Sequence, residues 1–592
     1  MLELREFDAA LLTHALTPMG PIPTVCDPTG VYPYESFAAT SPRPVPKRHR
    51  FVALENDFLR VTICPDLGGK IHSLCDKRSG KEVLFVPASI HPVRILPRLA
   101  FVPGGIEVSF PISHTPVQLE PVHCQSRHVS DRLYVWCGER ELRFGMQWTV
   151  EYSLGERDSF LTQRTFYRNP TACAHPWMSW SNAAVPARAD TEFHFPNGPV
   201  LRHGATLETI DWASAGPRRV GDLNRMAGFF WLEPDVCAFG AFTPSLGHGL
   251  YHLTDPAVTP GIKLWSYGTG PQEIWGRAAS LSGESYVEIQ GGPLRDQSIK
   301  EVLHPGQNRF HVEFWLPSSG PLDIRALKLP QPELVAPSEV PWFDWPPREA
   351  LGCWLALLEA HARQTISLLP EPPPAHENLW APSGMDDLGK ALAWAGSVTT
   401  ADARDRWLFQ LGAWLAARGK VDAALETLAR SGDDRACALR GRLHLRAKHD
   451  PRAAVESFRG IASEAVALHS QIMIERDVAL AELGTAALAE RAQWFARAAQ
   501  VQDEWLVERK AAWLVDEGRF TEARALLERT AFQLVHQRYV RTRLWQRIRH
   551  ELNLTEPDPP NWLGEDDLAE FGAYREFAEN SPDSTDFTPA RE

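Results

Sequence analysis

Residues 286–293 read YVEIQGGP, an alternation of polar and apolar residues that ends in a glycine turn. Successive side chains of a β-strand point to opposite faces of its sheet. Glu288 and Gln290 therefore share one face, and Val287 and Ile289 share the other. The apolar pair is expected to enter a core, whereas Glu288 is expected to line a cleft or to meet solvent. The segment predicts a strand of an antiparallel sheet with one apolar and one polar face.

Short apolar runs of this kind continue over residues 51–317, where Gly, Pro, Asn and Asp interrupt them. Examples are LRVTI at 59–63, LYVW at 133–136 and FHVEFW at 310–315. Many short strands with frequent turn signals predict a large sandwich of antiparallel sheets.

The second half of the chain has a different character. Prolines cluster over 318–382 and predict an extended linker that holds one short helix, at 354–368. Residues 383–555 are poor in proline and rich in Ala, Leu, Arg and Glu at helical spacing. They carry glycine- or aspartate-closed turns whose spacing is typical of tetratricopeptide repeats, with a generic helical bundle as the alternative. We assign residues 1–50 to an N-terminal extension and 556–592 to a surface tail.

Composition excludes several classes of partner. The 592 residues carry a net charge of −13 and no long run of Lys or Arg, so nucleic acid is not expected. No apolar stretch is long enough for a membrane span, and the N-terminus shows no export signal. The nine scattered cysteines include no CxxC pair, which is typical of reduced thiols. A cytoplasmic protein that does not contact a membrane is expected.

Two segments could supply acid–base chemistry and sugar binding. Residues 103–116 (PGGIEVSFPISHTP) place Glu107 and His114 near one loop, where they could act as acid and base. The same sequence is also compatible with a surface Glu and a His that caps a turn. Residues 175–185 (HPWMSWSNAAV) combine aromatic rings with an amide. A sugar packs its CH face on such a ring while its hydroxyls need directed donors and acceptors, but these tryptophans could equally belong to a core.

The order of these segments resembles the galactose mutarotase-like β-supersandwich: an early Gly-Gly turn, His-Pro-Trp, a Glu-x-Gln strand and then Pro-Gly. GGIE at 104–107, Asn-Ala-Ala at 182–184 and Gln-Glu-Ile-Trp at 272–275, joined to helical repeats, resemble bacterial proteins of the DUF5107 class. The resemblance implies a multidomain protein with a β-supersandwich at 51–317 and a tetratricopeptide-like α-helical domain after it.

In the mutarotases a Glu of the Glu-x-Gln strand is the general base and a His is the acid, so the resemblance places the base on Glu288. His175 precedes the aromatic residues and Asn182 much as the mutarotase His does, but the sequence after it departs from that family's pattern. A second expected His is replaced at the glycine turn by Glu107. Glycosidic bonds are usually cleaved by two carboxyl groups. With Glu107, Glu273 and Glu288 available, we predict a glycoside hydrolase in which Glu288 is base or nucleophile and one of the other two is the acid.

Two alternatives remain. One is an aldose 1-epimerase of the mutarotase type, with Glu288 as base and His175 or His114 as acid. The other is a non-catalytic glycan-binding module whose repeats dock a protein or a second copy. No cofactor and no metal are expected, since HExxH and P-loop motifs are absent from the sequence. The predicted substrate-binding residues are His114, His175, Trp180, Asn182, Lys263, Trp265, Trp275 and Gln290.

Overall fold

The computed structural model describes residues 2–563 apart from 24–32, 94–97, 99, 113, 204–206, 225, 270–283, 298, 533–539 and 557–559. An antiparallel β-sandwich comes first and a helical domain follows, as the sequence predicts. Within the described ranges, no helix has both the length and the apolar character needed to cross a membrane.

The strands are defined as follows, in chain order: β1 Glu3–Thr13, β2 Leu16–Pro18, β3 Phe37–Thr40, β4 Val45–Glu55, β5 Leu59–Cys64, β6 Lys70–Asp76, β7 Lys81–Glu82, β8 Ile106–Ser109, β9 His123–Val129, β10 Arg132–Arg140, β11 Gln147–Gly155, β12 Leu161–Arg168, β13 His175–Trp177, β14 Trp180–Ala187, β15 Glu192–His194, β16 Pro199–His203, β17 Leu207–Asp211, β18 Ala227–Trp231, β19 Ala238–Thr243, β20 His248–Thr254, β21 Gly261–Ser266, β22 Ser285–Gly292, β23 Glu301–Leu303 and β24 Asn308–Ser318.

Two large sheets form the sandwich. The first has the order β1-β4-β5-β6-β8-β14-β22-β21-β18-β16-β17, and the second has the order β15-β19-β20-β24-β12-β11-β10-β9. Strand β22 contains the predicted alternation and pairs antiparallel with β14 and β21. Val287 and Ile289 are fully buried in the core between the sheets, which confirms the predicted apolar face. Glu288 does not meet solvent, because only 4% of it is exposed.

The helices lie at Trp212–Ala215, Gly352–Ala362, Leu388–Val398, Ala401–Ala417, Val421–Leu428, Asp434–Arg446, Pro451–Arg459, Glu464–Ala467, Ser470–Glu482, Leu488–Arg497, Glu504–Asp516, Phe520–Glu528 and Val540–Glu551. The helix of the linker ends at Ala362, earlier than predicted, because Gln364 adopts a positive φ of 49° and interrupts it. The proline-rich linker itself packs on the second sheet, where Val340 joins a cluster with Tyr134 and Trp136.

The N-terminal extension is integrated into the fold. Strand β1 pairs with β4 over its whole length and forms one edge of the first sheet. Ile22 is buried among the helices, and the side-chain amide of Gln471 both accepts from its N–H (3.3 Å) and donates to its C=O (2.9 Å). Arg442 donates to the Pro23 carbonyl. The helical domain therefore binds an extended segment of its own chain.

Candidate active site on the outer face of the first sheet

A row of polar side chains crosses four neighbouring strands near the middle of the first sheet. Asn182 on β14 lies opposite Glu107 on β8 and opposite Gln290 on β22, and Gln290 lies opposite Lys263 on β21. The side chains of directly paired residues lie on the same face of a sheet. Sheet pairing therefore brings together residues that are far apart in the sequence, on the face turned away from the sandwich core.

Glu288 precedes Gln290 by two residues and lies on this same face. Its Oε1 accepts a hydrogen bond from the Tyr267 hydroxyl (3.0 Å), its Oε2 accepts one from Gln290 Nε2 (2.9 Å), and Asn182 also donates to it. Burial raises the pKa of Glu288, while the charges of His114 and Lys263 and the hydrogen bonds oppose this increase only in part. Glu288 therefore binds a proton more tightly than an ordinary glutamate.

Glu107 has the opposite character. Its carboxylate accepts hydrogen bonds from His114 Nδ1 (2.9 Å), from the Thr115 amide (2.7 Å) and from the Ser109 hydroxyl (3.3 Å). Burial alone would raise the pKa of Glu107, but His114 and these donors outweigh it and lower the pKa. Because an ionised carboxylate only accepts, Nδ1 of His114 is the donor and Nε2 points away from Glu107. His114 also lies near enough to Glu288 for its charge to oppose the increase in the pKa of that carboxyl.

Two buried lysines complete the charged groups. Burial lowers the pKa of Lys70 to about 8 and that of Lys263 to about 7, and the charge of Glu288 opposes both decreases. Lys70 donates to the Val102 carbonyl (3.1 Å) and also lies near Glu107. Lys70 is not among the residues predicted from the sequence; its position directly after the Gly-Gly turn was the available signal.

The tryptophans of this face are packed. Trp180 contacts the ring of Phe230 edge-on, and only 1% of it is exposed. Trp265 lies in a buried cluster with Tyr267, where the two rings also meet edge-on. These rings form walls around the polar row, which fits the alternative that the tryptophans belong to a core. Tyr267 was likewise not selected from the sequence, although it follows Trp265 by two residues.

The remaining predicted residues divide into two groups. His175 lies on β13, where its ring contacts Phe144 and its Nε2 lies 2.9 Å from the Thr171 hydroxyl. Its role in the site stays a prediction. Glu273 and Trp275 lie outside the described residues. Among the residues that are described, no group of three or more His, Cys, Asp and Glu side chains is arranged to hold a metal ion.

Comparison with known proteins supports the architecture. The model of a domain of unknown function, DUF5107, matches residues 26–318, and a model of a C-terminal domain matches residues 354–548. The crystal structure of a TPR-domain containing protein from Parabacteroides distasonis is 49% identical, with a TM-score of 0.91 over 96% of this chain and 98% of that one.

Galactose mutarotase-like proteins are also similar over the sandwich. One from Clostridium acetobutylicum is 12% identical, with a TM-score of 0.35 over 46% of this chain and 95% of that chain. Another, from Lactobacillus casei, is 12% identical, with a TM-score of 0.35 over 45% of this chain and 100% of that chain.

Proposed function

This chain belongs to the same family as the Parabacteroides distasonis TPR-domain containing protein and carries a DUF5107 domain, and from that premise we propose that its sandwich catalyses proton transfer at the anomeric centre of an aldose. The proposed activity is that of a 1-epimerase of the mutarotase type. The observation that carries it is the placement of Glu288 beside a histidine, His114, that Glu107 holds in one orientation.

Each group has one role in the proposed reaction. Ionised Glu288 accepts the proton of the anomeric hydroxyl, and its raised pKa makes it a better base than a solvated carboxylate. His114 Nε2 donates a proton to the ring oxygen, and Glu107 stabilises the histidine while it carries its charge. The ring opens, the C1–C2 bond rotates, and the reverse transfers close the ring with the other anomeric configuration. No net proton is consumed.

Asn182 and Trp180 offer contacts for the sugar. The Oδ1 of Asn182 and the Nε1 of Trp180 are buried and have no hydrogen-bond partner within the described part of the chain. Buried polar atoms are normally paired. Asn182, which hydrogen-bonds to Glu288, thus has an open acceptor, and Trp180 on the same face of β14 has an open donor; both suit the hydroxyls of a pyranose.

The geometry supports this reaction over the hydrolase that the sequence favoured. A hydrolase with Glu107 as acid needs a protonated Glu107, whereas the lowered pKa and the donors around Glu107 favour its ionised form. With Glu288 as its base, a hydrolase would then have to use Glu273 as its acid. That pairing remains the competing outcome of the test.

The experiment compares two assays on the same protein. Exchange between α and β anomers of free aldoses is measured by NMR, and release of reducing ends is measured on aryl glycosides and oligosaccharides. We expect anomer exchange, reduced about 10²- to 10⁴-fold in both Glu288→Gln and His114→Gln. Glu301→Gln, at an exposed position of β23, is the matched control and should leave exchange unchanged.

Three outcomes would contradict the proposal. Hydrolysis without anomer exchange, lost in Glu288→Gln and Glu273→Gln, would establish the glycosidase. If the protein shows neither anomer exchange nor hydrolysis, and Glu288→Gln still binds sugar, the sandwich would be a binding module. Full exchange activity in His114→Gln would remove His114 from the reaction.

A further inference from the structure

Three buried side chains connect one end of the polar row to Glu288. Lys263 Nζ donates to Gln297 Oε1 (2.7 Å), and Gln297 Nε2 donates to Gln290 Oε1 (2.9 Å). Gln290 Nε2 then donates to Glu288 Oε2 (2.9 Å). No more than 4% of any of the three is exposed.

The direction of these hydrogen bonds follows from the chemistry of Lys263, the first residue in the series. An ammonium group has donors and no acceptor, so Gln297 must turn its oxygen toward Lys263 and its NH₂ toward Gln290. Gln290 then has to accept from Gln297 with its oxygen, and it turns its own NH₂ toward Glu288. The orientation of two amides is thus set by a cation located at the far end.

Lys263 is held at that end by its surroundings. Its Nζ lies 4.8 Å from the centroid of the Phe230 ring and 5.3 Å from that of Trp265. Such rings attract a cation without accepting the conventional hydrogen bond that Gln297 receives. The rings and the charge of Glu288 stabilise the ammonium, whereas burial opposes its charge and lowers the pKa of Lys263 to about 7.

We propose that Lys263, Gln297 and Gln290 form a one-way hydrogen-bond relay that positions the Glu288 carboxylate as an acceptor. This inference rests on the proposed function and deepens it, because it identifies Gln297 as a positioning residue that acts through Gln290. A donor turned toward Oε2 favours the ionised form that the reaction needs, while Oε1 accepts from Tyr267.

Other charged or titratable groups face Glu288 and must be kept constant in a test. Lys70 on β6, His114 in the loop after β8 and Tyr267 after β21 act on Glu288 directly. Glu107 on β8 lies beside His114 and Lys70, and Tyr286 on β22 lies beside Tyr267. None of them hydrogen-bonds to the side chain of Gln297 within the described residues. A substitution at Gln297 therefore changes the relay and leaves these groups in place.

The decisive variant is Gln297→Glu, which is nearly isosteric. A glutamate at 297 accepts from Lys263 and must also accept from Gln290, so Gln290 turns its NH₂ toward residue 297 and its oxygen toward Glu288. An oxygen facing Glu288 requires a proton between them. We expect protonation of Glu288 to persist to a pH higher by about one unit or more. Lys263→Met removes the first donor of the series. It should shift the titration of Glu288 in the same direction, but by a smaller amount.

Two readouts separate the relay from the proposed function. Infrared difference spectra between each variant and its Glu288→Gln counterpart report the protonation of Glu288 without any substrate. In Gln297→Glu the acidic limb of the pH profile of anomer exchange should shift to higher pH. The rate on the acidic side should fall about tenfold for each pH unit of this shift, with little change in KM. Lys300→Met is the matched control, since Lys300 donates to the main-chain carbonyl of Gln297.

A shifted infrared titration without sugar activity would support the relay and refute the proposed function. Sugar activity with an unshifted titration in both Gln297→Glu and Lys263→Met would overturn the relay and leave the proposed function standing. Circular dichroism and the unfolding temperature establish that each variant is folded before its infrared titration and its pH profile are measured.

Discussion

Two buried glutamates lie on opposite sides of the first sheet and differ in their chemistry. Glu288 faces outward from β22, whereas Glu313 on β24 lies between the sheets. Glu313 is bound by His252 Nε2 (2.8 Å) and His311 Nε2 (3.1 Å), and by Ser181 Oγ (2.6 Å) and Gln163 Nε2 (2.8 Å). Burial raises the pKa of Glu313, but the two histidines and their hydrogen bonds outweigh it and hold the pKa far below its ordinary value.

The difference shows that burial alone does not decide the protonation of a carboxyl group. Glu288 accepts its hydrogen bonds from neutral side chains, Tyr267, Gln290 and Asn182, and its pKa is raised. Glu313 accepts from two imidazoles that can carry charge, and its pKa is lowered. The inner cluster therefore joins the two sheets through Ser181 of β14, and the outer carboxyl remains able to exchange a proton.

The largest expected effect separates the two acids by stability. Glu313→Gln replaces the buried carboxylate that accepts from four buried side chains with a neutral amide, and it should cost about 3–5 kcal/mol. Glu288→Gln keeps the shape and removes a group whose ionised form is disfavoured by burial, so its cost should stay within about 1 kcal/mol. Urea unfolding of both variants measures the difference. Equal losses would show that the two carboxyl groups have the same structural role.

A smaller effect is expected from Gly291→Ala, which perturbs the inner cluster from β22. A Cβ at Gly291 would lie 2.6 Å from Cε1 of His252 and 3.3 Å from Oε1 of Glu313. We expect a loss of about 1–3 kcal/mol from this overpacking, measured by urea unfolding. Gly320→Ala is the control, because nothing lies within 4 Å of its Cβ, and a similar loss there would assign the effect to the glycine alone.

Single donors provide a finer comparison. Ser181→Ala removes a donor to Glu313 and should cost about 1.5–3 kcal/mol, since its acceptor is ionised. Tyr267→Phe removes a donor to Glu288 and should cost about 1 kcal/mol at neutral pH while raising the pKa of Glu288 further. Thermal unfolding of the two variants ranks them. A larger loss in Tyr267→Phe than in Ser181→Ala would contradict the assignment of an ionised carboxylate to Glu313.

The smallest effect is a pH dependence of opposite sign. The raised pKa of Glu288 means that its contribution to stability is complete below its unfolded value of about 4.3 and is lost as pH rises through the folded value. The lowered pKa of Glu313 means that its contribution is complete above about 4.3 and is lost as pH falls. Unfolding free energies of wild type, Glu288→Gln and Glu313→Gln across pH test both slopes, and parallel curves would refute the difference.

Several features of the site could be read from single segments. The alternation at 286–290 correctly assigned Val287 and Ile289 to the core and Glu288 to the other face. The segment 103–116 already suggested the contact between Glu107 and His114, because His114 lies in the loop that directly follows the strand of Glu107. Lys70 and Gln297 carried no comparable local signal, since each is an isolated polar residue in or beside a turn.

Amino-acid order by itself determined the kinds of elements, a β-rich half and a proline-poor helical half, because periodicity and backbone preference are local properties. Only the tertiary structure decided which acid has a raised pKa and which histidine lies near it. Strand pairing joins positions distant in the chain, and register sets which side chains become neighbours. The pKa of a buried group depends on those neighbours, as Glu288 and Glu313 show with the same side chain and opposite shifts.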